Sequence, residues 1–169
     1  LKKLKLKEKE KKALFYNLNP FHWFNEFSEI TERGGFDIII QNPPYVSNKQ
    51  LSSLEKAIFQ KRYETSKGLL NTFGMFIERS IKLCNLSSRI SCIVHKNFIR
   101  SNNYDLLRKY ILEHTTVEEI IDIGADAFQF ITAETIIIII TKRPPPKDHK
   151  IEIKEKLPIQ KESRLQTVQ

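Results

Sequence analysis

The chain has 169 residues, of which 40% are hydrophobic and 28% are charged, and its formal net charge is +8. This length and composition predict one globular domain with a hydrophobic core. They exclude a membrane-spanning helix, because no run of about 18 or more apolar residues occurs, and the lysine-rich start lacks the apolar segment of a secretory signal, so a cytoplasmic location is expected. The two cysteines, Cys84 and Cys92, form neither a metal-binding spacing nor a disulfide framework.

The positive charge is concentrated at the start of the chain. Residues 1–12 (LKKLKLKEKEKK) hold seven lysines and two glutamates, which supply +5 of the +8. A basic run of this kind is more often a solvated helix or tail than a phosphate contact. Residues 1–20 are therefore predicted to be a basic helical lead-in, and the charge of the remaining chain gives only weak support for nucleic-acid binding.

The next signals are a turn, a strand and a short helix. The aromatic-rich segment 21–30 is predicted to pack on the edge of a core, and TERGG at 31–35 is a turn signal. FDIIIQ at 36–41 is an apolar run with β-branched residues, which predicts a buried strand. A short helix is expected after residue 52.

Strand and helix signals then alternate. Helical spacing of apolar residues lies within 69–85, a turn is predicted at 86–89, and RISCIVH at 89–95 predicts a second buried strand. A helix is predicted at 103–114, followed by a third strand at 116–124. This order is typical of an α/β fold.

The fourth strand signal, AETIIIIITKR at 133–143, has five consecutive isoleucines. Such a run predicts a sheet interior covered on both faces. The connection at 124–133 is too short for a helical crossover, so this strand should lie antiparallel to the third. The expected fold is therefore α/β with a mostly parallel sheet and one antiparallel strand.

The segment Asn-Pro-Pro-Tyr, 42–45, follows the first strand, where open α/β sheets bind their ligands. Proline restricts its own backbone and that of the residue before it, so Asn42, Pro43 and Pro44 are all conformationally limited. The Asn42 amide, the Pro43 carbonyl and the Tyr45 ring are thus held in a fixed relation that suits a flat heterocycle with an exocyclic amino group. The alternative is an ordinary turn.

The motif and its flanks resemble a known family. Asn-Pro-Pro-Tyr after a strand that begins Phe-Asp, together with the sequence from about 20 to 143, is similar to the adenine-N6 DNA methyltransferases of type II restriction–modification systems, in the Eco57I-like and TaqI-like group. The resemblance implies a Rossmann-like fold and methyl transfer from S-adenosylmethionine to adenine N6. It also implies double-stranded DNA with a flipped adenine as the partner.

The resemblance assigns catalytic roles to Asn42, Pro43, Pro44 and Tyr45. The Asn42 side-chain oxygen and the Pro43 carbonyl accept hydrogen bonds from the adenine amino group, and Tyr45 stacks on the base. Pro43 and Tyr45 also reach the methyl-bearing end of the cofactor. A second base-stacking ring is expected at Phe128, with Phe130 as the alternative, although either ring can equally be core.

Part of the family pattern is missing. The family's glycine loop for S-adenosylmethionine lies upstream of Asn-Pro-Pro-Tyr, whereas none of the five glycines here forms such a loop. The chain is therefore expected to be the C-terminal half of a catalytic domain, without its first strands and inactive alone. An N-terminal half or partner subunit supplies the cofactor loop. The alternative is a non-catalytic remnant or DNA-binding module that keeps the fold.

The expected domain organisation follows from that resemblance. Residues 21–143 form a partial methyltransferase catalytic domain after the lead-in at 1–20. Residues 144–169 are a linker or the start of a target-recognition region.

Overall fold

The computed structural model describes residues 21–67, 70–124 and 134–155. The basic lead-in predicted at 1–20 lies outside these ranges. Within them, no helix has the length and apolar character needed to cross a membrane.

The chain divides into two compact units, one ending at Arg33 and the other beginning at Gly34. In the first unit, the rings of Trp23 and Phe27 stack with their centroids 5.7 Å apart. Its described helices are short: α1 (Trp23–Glu26) and α2 (Ser28–Glu32).

The second unit is built on a sheet whose described strands lie in the order β1-β2-β4-β3-β5. Strand β1 pairs with β2 in parallel and β3 pairs with β5 in parallel, while β4 runs antiparallel to both β2 and β3. The predicted α/β sheet with one reversed strand is confirmed. The strands are β1 (Phe36–Gln41), β2 (Cys84–His95), β3 (Thr116–Gly124), β4 (Thr135–Thr141) and β5 (Glu152–Lys154).

Helices lie between β1 and β2 and between β2 and β3, and the two α-helices between β1 and β2 are capped by polar side chains. Ser52 accepts a hydrogen bond from the Glu55 backbone N–H, and the Glu55 carboxylate accepts one from the Ser52 N–H, which forms a capping box. The Asn71 side chain caps the next helix. The helices are α3 (Ser53–Arg62), α4 (Thr72–Leu83), α5 (Asn97–Arg100) and α6 (Asp105–His114), with single 3₁₀ turns at Asn48–Gln50, Glu64–Ser66 and Asn102–Tyr104.

The hydrophobic core lies between one face of the sheet and the helices α4 and α6. Alternate residues of β2 and β4 point to this face, because side chains alternate along a strand. All of them are buried against apolar side chains of the two helices. The strand residues are Ile90, Cys92, Val94, Ile136, Ile138 and Ile140, and the helix residues include Phe73, Ile77, Ile81, Leu107, Tyr110 and Ile111.

The opposite face of the sheet corrects two predictions. Ile38 is 65% exposed and Ile40 is 81% exposed, so β1 is not the buried strand that its sequence predicted. Ile137 and Ile139 are only half-buried, so β4 is not fully covered on both faces. An unbroken apolar run gives the same sequence signal whether one face or both faces of the strand are covered, and only the packing in the structure distinguishes the two cases.

The region between α4 and β2 also differs from the prediction. A turn was expected at 86–89, but β2 begins at Cys84 and carries an irregularity there: the register with β1 shifts between Phe36↔Cys84 and Ile38↔Arg89. Ser87 takes a φ of 67°, a left-handed conformation that lets the strand continue past the extra residues. Strand β5, in the polar region after 144, was not predicted.

Candidate active site

The Asn42–Tyr45 segment leaves the carboxyl end of β1, as the sequence predicted. Asn42 is exposed, and its side chain makes no hydrogen bond with any residue that the structure describes. Pro43 beside it is buried and Pro44 is exposed. The exposed amide of Asn42 is therefore carried by a backbone that two prolines restrict.

Thr72, at the start of α4, holds this segment in place. Its hydroxyl donates to the Pro44 carbonyl oxygen at 2.5 Å and accepts from the Val46 N–H at 3.0 Å, while its own N–H donates to the Val46 carbonyl at 3.1 Å. Prolines offer no N–H, so the segment depends on an outside donor. The sequence analysis missed Thr72, because the contact spans 28 residues and nothing local signals it.

The Tyr45 ring is fixed at the boundary between the core and the surface. Its hydroxyl donates to the Ile93 carbonyl oxygen at 2.8 Å. The ring centroid lies 5.8 Å from that of Phe73 and 4.4 Å from that of His95, in an edge-on arrangement with the imidazole. Burial, with a smaller effect from Cys92, raises the pKa of Tyr45 to about 12, so the phenol stays a neutral hydrogen-bond donor.

A charged cluster lies at the same edge of the sheet. The Lys96 ammonium, just after β2, is 2.7 Å from the Asp122 carboxylate and 3.4 Å from that of Glu134. The hydrogen bond with Asp122, more than any other influence, raises the pKa of Lys96. The sequence analysis assigned no site role to Lys96. A lysine directly after a predicted strand was the available signal.

The described glycines do not form the loop that the sequence analysis associates with S-adenosylmethionine. Gly34 and Gly35 precede β1, Gly74 lies inside α4, and Gly124 ends β3. No glycine-rich loop joins a strand to a helix in the described ranges. The described residues thus offer exposed polar atoms at Asn42 and no glycine-rich loop. Phe128 and Phe130 fall outside the described residues.

The fold and the motif at its ligand-binding edge define a class of protein. A Listeria monocytogenes protein assigned to the class I S-adenosylmethionine-dependent methyltransferases superposes with a TM-score of 0.59 at 20% identity, over 72% of this chain and 37% of that chain. The fold is therefore that of the class I methyltransferases.

The Eco57I restriction-modification methylase family model matches residues 1–128, and the chain belongs to this family. A Methanocaldococcus jannaschii protein, described as a type II restriction enzyme and methyltransferase, is 34% identical over 134 residues, which is 79% of this chain and 11% of the relative. The adenine-specific methyltransferase BrxX of Escherichia coli O9:H4 is 26% identical over 101 residues, 60% of this chain and 8% of the relative. The chain thus spans a small part of the relatives that it matches.

Proposed function

We propose that the chain is the target-base half of the catalytic domain of a site-specific DNA methyltransferase, which transfers a methyl group from S-adenosylmethionine to adenine N6 within a restriction–modification system. The observation that carries this proposal is the exposed Asn42 amide on a proline-restricted backbone at the carboxyl end of β1, with no hydrogen-bond partner among the described residues. The family membership and the adenine-specific relative support the same reaction.

Asn42 and Pro43 have the chemistry to activate an amino group. The N6 lone pair of adenine is delocalised into the ring, which makes it a poor nucleophile. Two acceptors, the Asn42 Oδ1 and the Pro43 carbonyl oxygen, bind the two N–H groups and favour a pyramidal nitrogen whose lone pair points out of the ring plane. Fixed acceptors also stabilise the positive charge that develops on N6.

S-adenosylmethionine, when bound, supplies an electrophilic methyl group on a sulfonium. If the methyl group passed to N6, Asn42 and Pro43 would hold that nitrogen, which would lose one proton to solvent. This chain's contribution is orientation: holding the amino group in line through a stiff segment is worth up to about 7–11 kcal/mol in well-oriented systems. The Thr72 contacts with Pro44 and Val46 provide that stiffness.

Tyr45 supplies a stacking surface for an adenine extruded from double-stranded DNA. The ring is half-buried and fixed by the Ile93 carbonyl and by Phe73, so it presents one preset orientation to the base. Stacking of this kind is worth roughly 1–3 kcal/mol per base. Phe128 is proposed as the second ring, with Phe130 as the alternative.

The cofactor half is proposed to come from an N-terminal half or a partner subunit. In the described part of the chain, β1 pairs only with β2, and Ile38 and Ile40 are exposed on it. An open strand edge with an apolar face is suited to receive another strand. Residues 21–143 then form the partial catalytic domain, with 1–20 as a basic lead-in and 144–169 as a linker or the start of a target-recognition region.

The test is methyl transfer from labelled S-adenosylmethionine to unmethylated DNA, with and without the polypeptide that carries the cofactor half. We expect no transfer by the chain alone and N6-methyladenine from the assembled enzyme, identified by mass spectrometry of the nucleosides. Methylated cytosine as the product contradicts the adenine assignment. Full activity of the chain alone contradicts the half-domain proposal.

The Asn42→Ala variant of the assembled enzyme tests the amide itself. Loss of one preorganised polar partner typically lowers kcat by about 10²–10³-fold, and DNA binding should persist. Asn85→Ala is the matched control, because Asn85 lies at the other end of the sheet, where it donates to Asp37 at 2.6 Å. Normal turnover by Asn42→Ala rules out its role, and failure of both variants indicates a folding defect.

A further inference from the structure

Two lysines make the same kind of contact with carboxylates of β3 that lie three residues apart, Asp122 and Glu119. The Lys96 ammonium bridges Asp122 at 2.7 Å and Glu134 at 3.4 Å. The Lys154 ammonium bridges Glu119 at 2.8 Å and Glu152 at 3.5 Å. The two ammonium groups are similarly exposed, at 31% and 38% of the side chain. Their surroundings, however, differ.

Lys96 joins three strand ends at the edge that carries Asn42. Asp122 lies near the end of β3, and Glu134 comes directly before β4, so the two carboxylates flank the β3–β4 connection. The Lys96 backbone N–H also donates to the Glu134 carbonyl oxygen at 3.0 Å. Lys96 thus fastens both ends of that connection to the end of β2.

The preceding residue ties the same strand end to the Asn42–Tyr45 segment. His95 pairs with Thr135 across β2 and β4, and its ring lies 4.4 Å from the Tyr45 ring. Two consecutive residues therefore contact the two parts of the candidate site: His95, which ends β2, contacts the tyrosine, and Lys96, just after β2, contacts the ends of the β3–β4 connection. No comparable contact links Lys154 to the candidate site in the described ranges.

We propose that Lys96 is a positioning residue of the target-base site: its ammonium fixes the β3 and β4 ends against the end of β2, and so sets their spacing from Asn42 and Tyr45. Neutralisation of Asp122 and Glu134 by one cation also keeps two carboxylates from repelling each other beside that site. This role rests on the proposed function, because it concerns the spacing of a methyl-acceptor site.

A purely structural salt bridge behaves differently. Partly exposed ion pairs contribute little to stability, so Lys96→Met and Lys154→Met should both fold and melt close to the parent. A misplacement of about 1 Å at a reacting centre, by contrast, can cost 10²-fold in rate. The two lysine variants should therefore differ in catalytic rate and not in stability.

The first test uses the full chain by itself and measures amide hydrogen exchange. The Gly124 N–H donates to Asp122 at 2.9 Å, so it reports on the Asp122 carboxylate directly. In Lys96→Met we expect faster exchange at Gly124 and at residue 96, with no change there in Lys154→Met. Equal exchange in the two variants overturns the positioning role.

The second test uses the assembled methyltransferase on unmethylated DNA. Lys96→Met should lower kcat by about 10–100-fold with the KM for S-adenosylmethionine unchanged, Lys96→Arg should restore most of the rate, and Lys154→Met should match the parent. Faster exchange with an unchanged kcat shows that the contact does not serve the site, which overturns the proposal. An inactive parent enzyme refutes the proposed function, and the link to a base site with it.

Discussion

The two faces of the sheet use the same kind of side chain and differ in what covers them. Ile90 on β2 is 0% exposed beneath α4 and α6, whereas Ile40 on the neighbouring β1 is 81% exposed. The covered face packs without outside help, and through Thr72 and Phe73 it also holds the Asn42–Tyr45 segment. The open face does neither. The edge with the Asn42–Tyr45 segment is thus held by the covered face, whereas Ile38 and Ile40 on the open face are exposed.

The largest expected effect on stability comes from comparing one substitution on each face. Ile90→Ala leaves a cavity in a close-packed core and should lower the free energy of unfolding by about 2–5 kcal/mol. Ile40→Ala removes an exposed side chain and should change it by less than about 0.5 kcal/mol. Urea denaturation of the full chain measures both. Equal losses would show that the open face is packed in solution, for instance against a second copy of the chain.

Glu78 offers a smaller and pH-dependent test of the covered face. The carboxylate is fully buried in α4 and accepts hydrogen bonds from the Lys82 ammonium, from the Thr65 N–H and hydroxyl at 2.9 Å each, and from the Glu64 N–H at 3.2 Å. Burial by itself raises the pKa of Glu78, but the hydrogen bonds, led by that from Lys82, outweigh it and leave the pKa below the ordinary value.

Because the folded-state pKa is lowered, the stabilisation by Glu78 is present above the ordinary carboxyl pKa and is lost as the pH falls through the folded-state pKa. Glu78→Gln should lower the free energy of unfolding by about 1–3 kcal/mol at neutral pH and flatten its acid dependence. Glu113→Gln, whose carboxylate lies 3.7 Å from Lys109 on the surface of α6, should change it by no more than about 0.5 kcal/mol. An unaltered pH profile in Glu78→Gln contradicts this assignment.

The difference between the two faces also shows what the sequence could predict. The strand bounds 36–41 and 116–124 agree with the structure, because apolar β-branched runs ended by polar or glycine residues are local signals. The reversed β4 followed from the short connection before it. The exposure of Ile38 and Ile40 could not be predicted, since it depends on which elements pack on β1 and not on β1 itself.

In the candidate site, too, some features could be predicted from the local sequence and others could not. Asn42 to Tyr45 could be found from the sequence, because the restriction of two consecutive prolines is local chemistry. The contact of Thr72 with Pro44 spans 28 residues, and that of Lys96 with Asp122 spans 26. Such contacts arise when the sheet forms and brings distant strand ends to one edge, and a single sequence contains no pattern for them.

Thr72→Val tests whether the covered face holds the proline segment in place. Valine keeps the shape and removes the hydroxyl that binds Pro44 and Val46, so we expect a loss of about 1–2 kcal/mol in stability together with a lower kcat of the assembled enzyme. Thr116→Val is the control, since that buried hydroxyl donates to the Arg143 carbonyl at 2.9 Å at the opposite edge. It should show a similar stability loss and an unchanged kcat. A lowered kcat in both variants would attribute the effect to general destabilisation.

The smallest expected effect concerns the Tyr45 hydroxyl. Tyr45→Phe keeps the stacking ring and removes the donor to the Ile93 carbonyl, so the free energy of unfolding should fall by about 0.5–1.5 kcal/mol. Tyr110→Phe is the matched control, because burial raises the pKa of Tyr110 to about 12 as well, while its hydroxyl makes no hydrogen bond with any residue that the structure describes. Thermal melts compare the stabilities, and the KM for DNA reports on the ring. Stacking needs only the ring, so a normal KM in Tyr45→Phe would show that the hydroxyl anchors the ring and does not contact the base. A raised KM with unchanged stability would mean that the hydroxyl contacts the DNA.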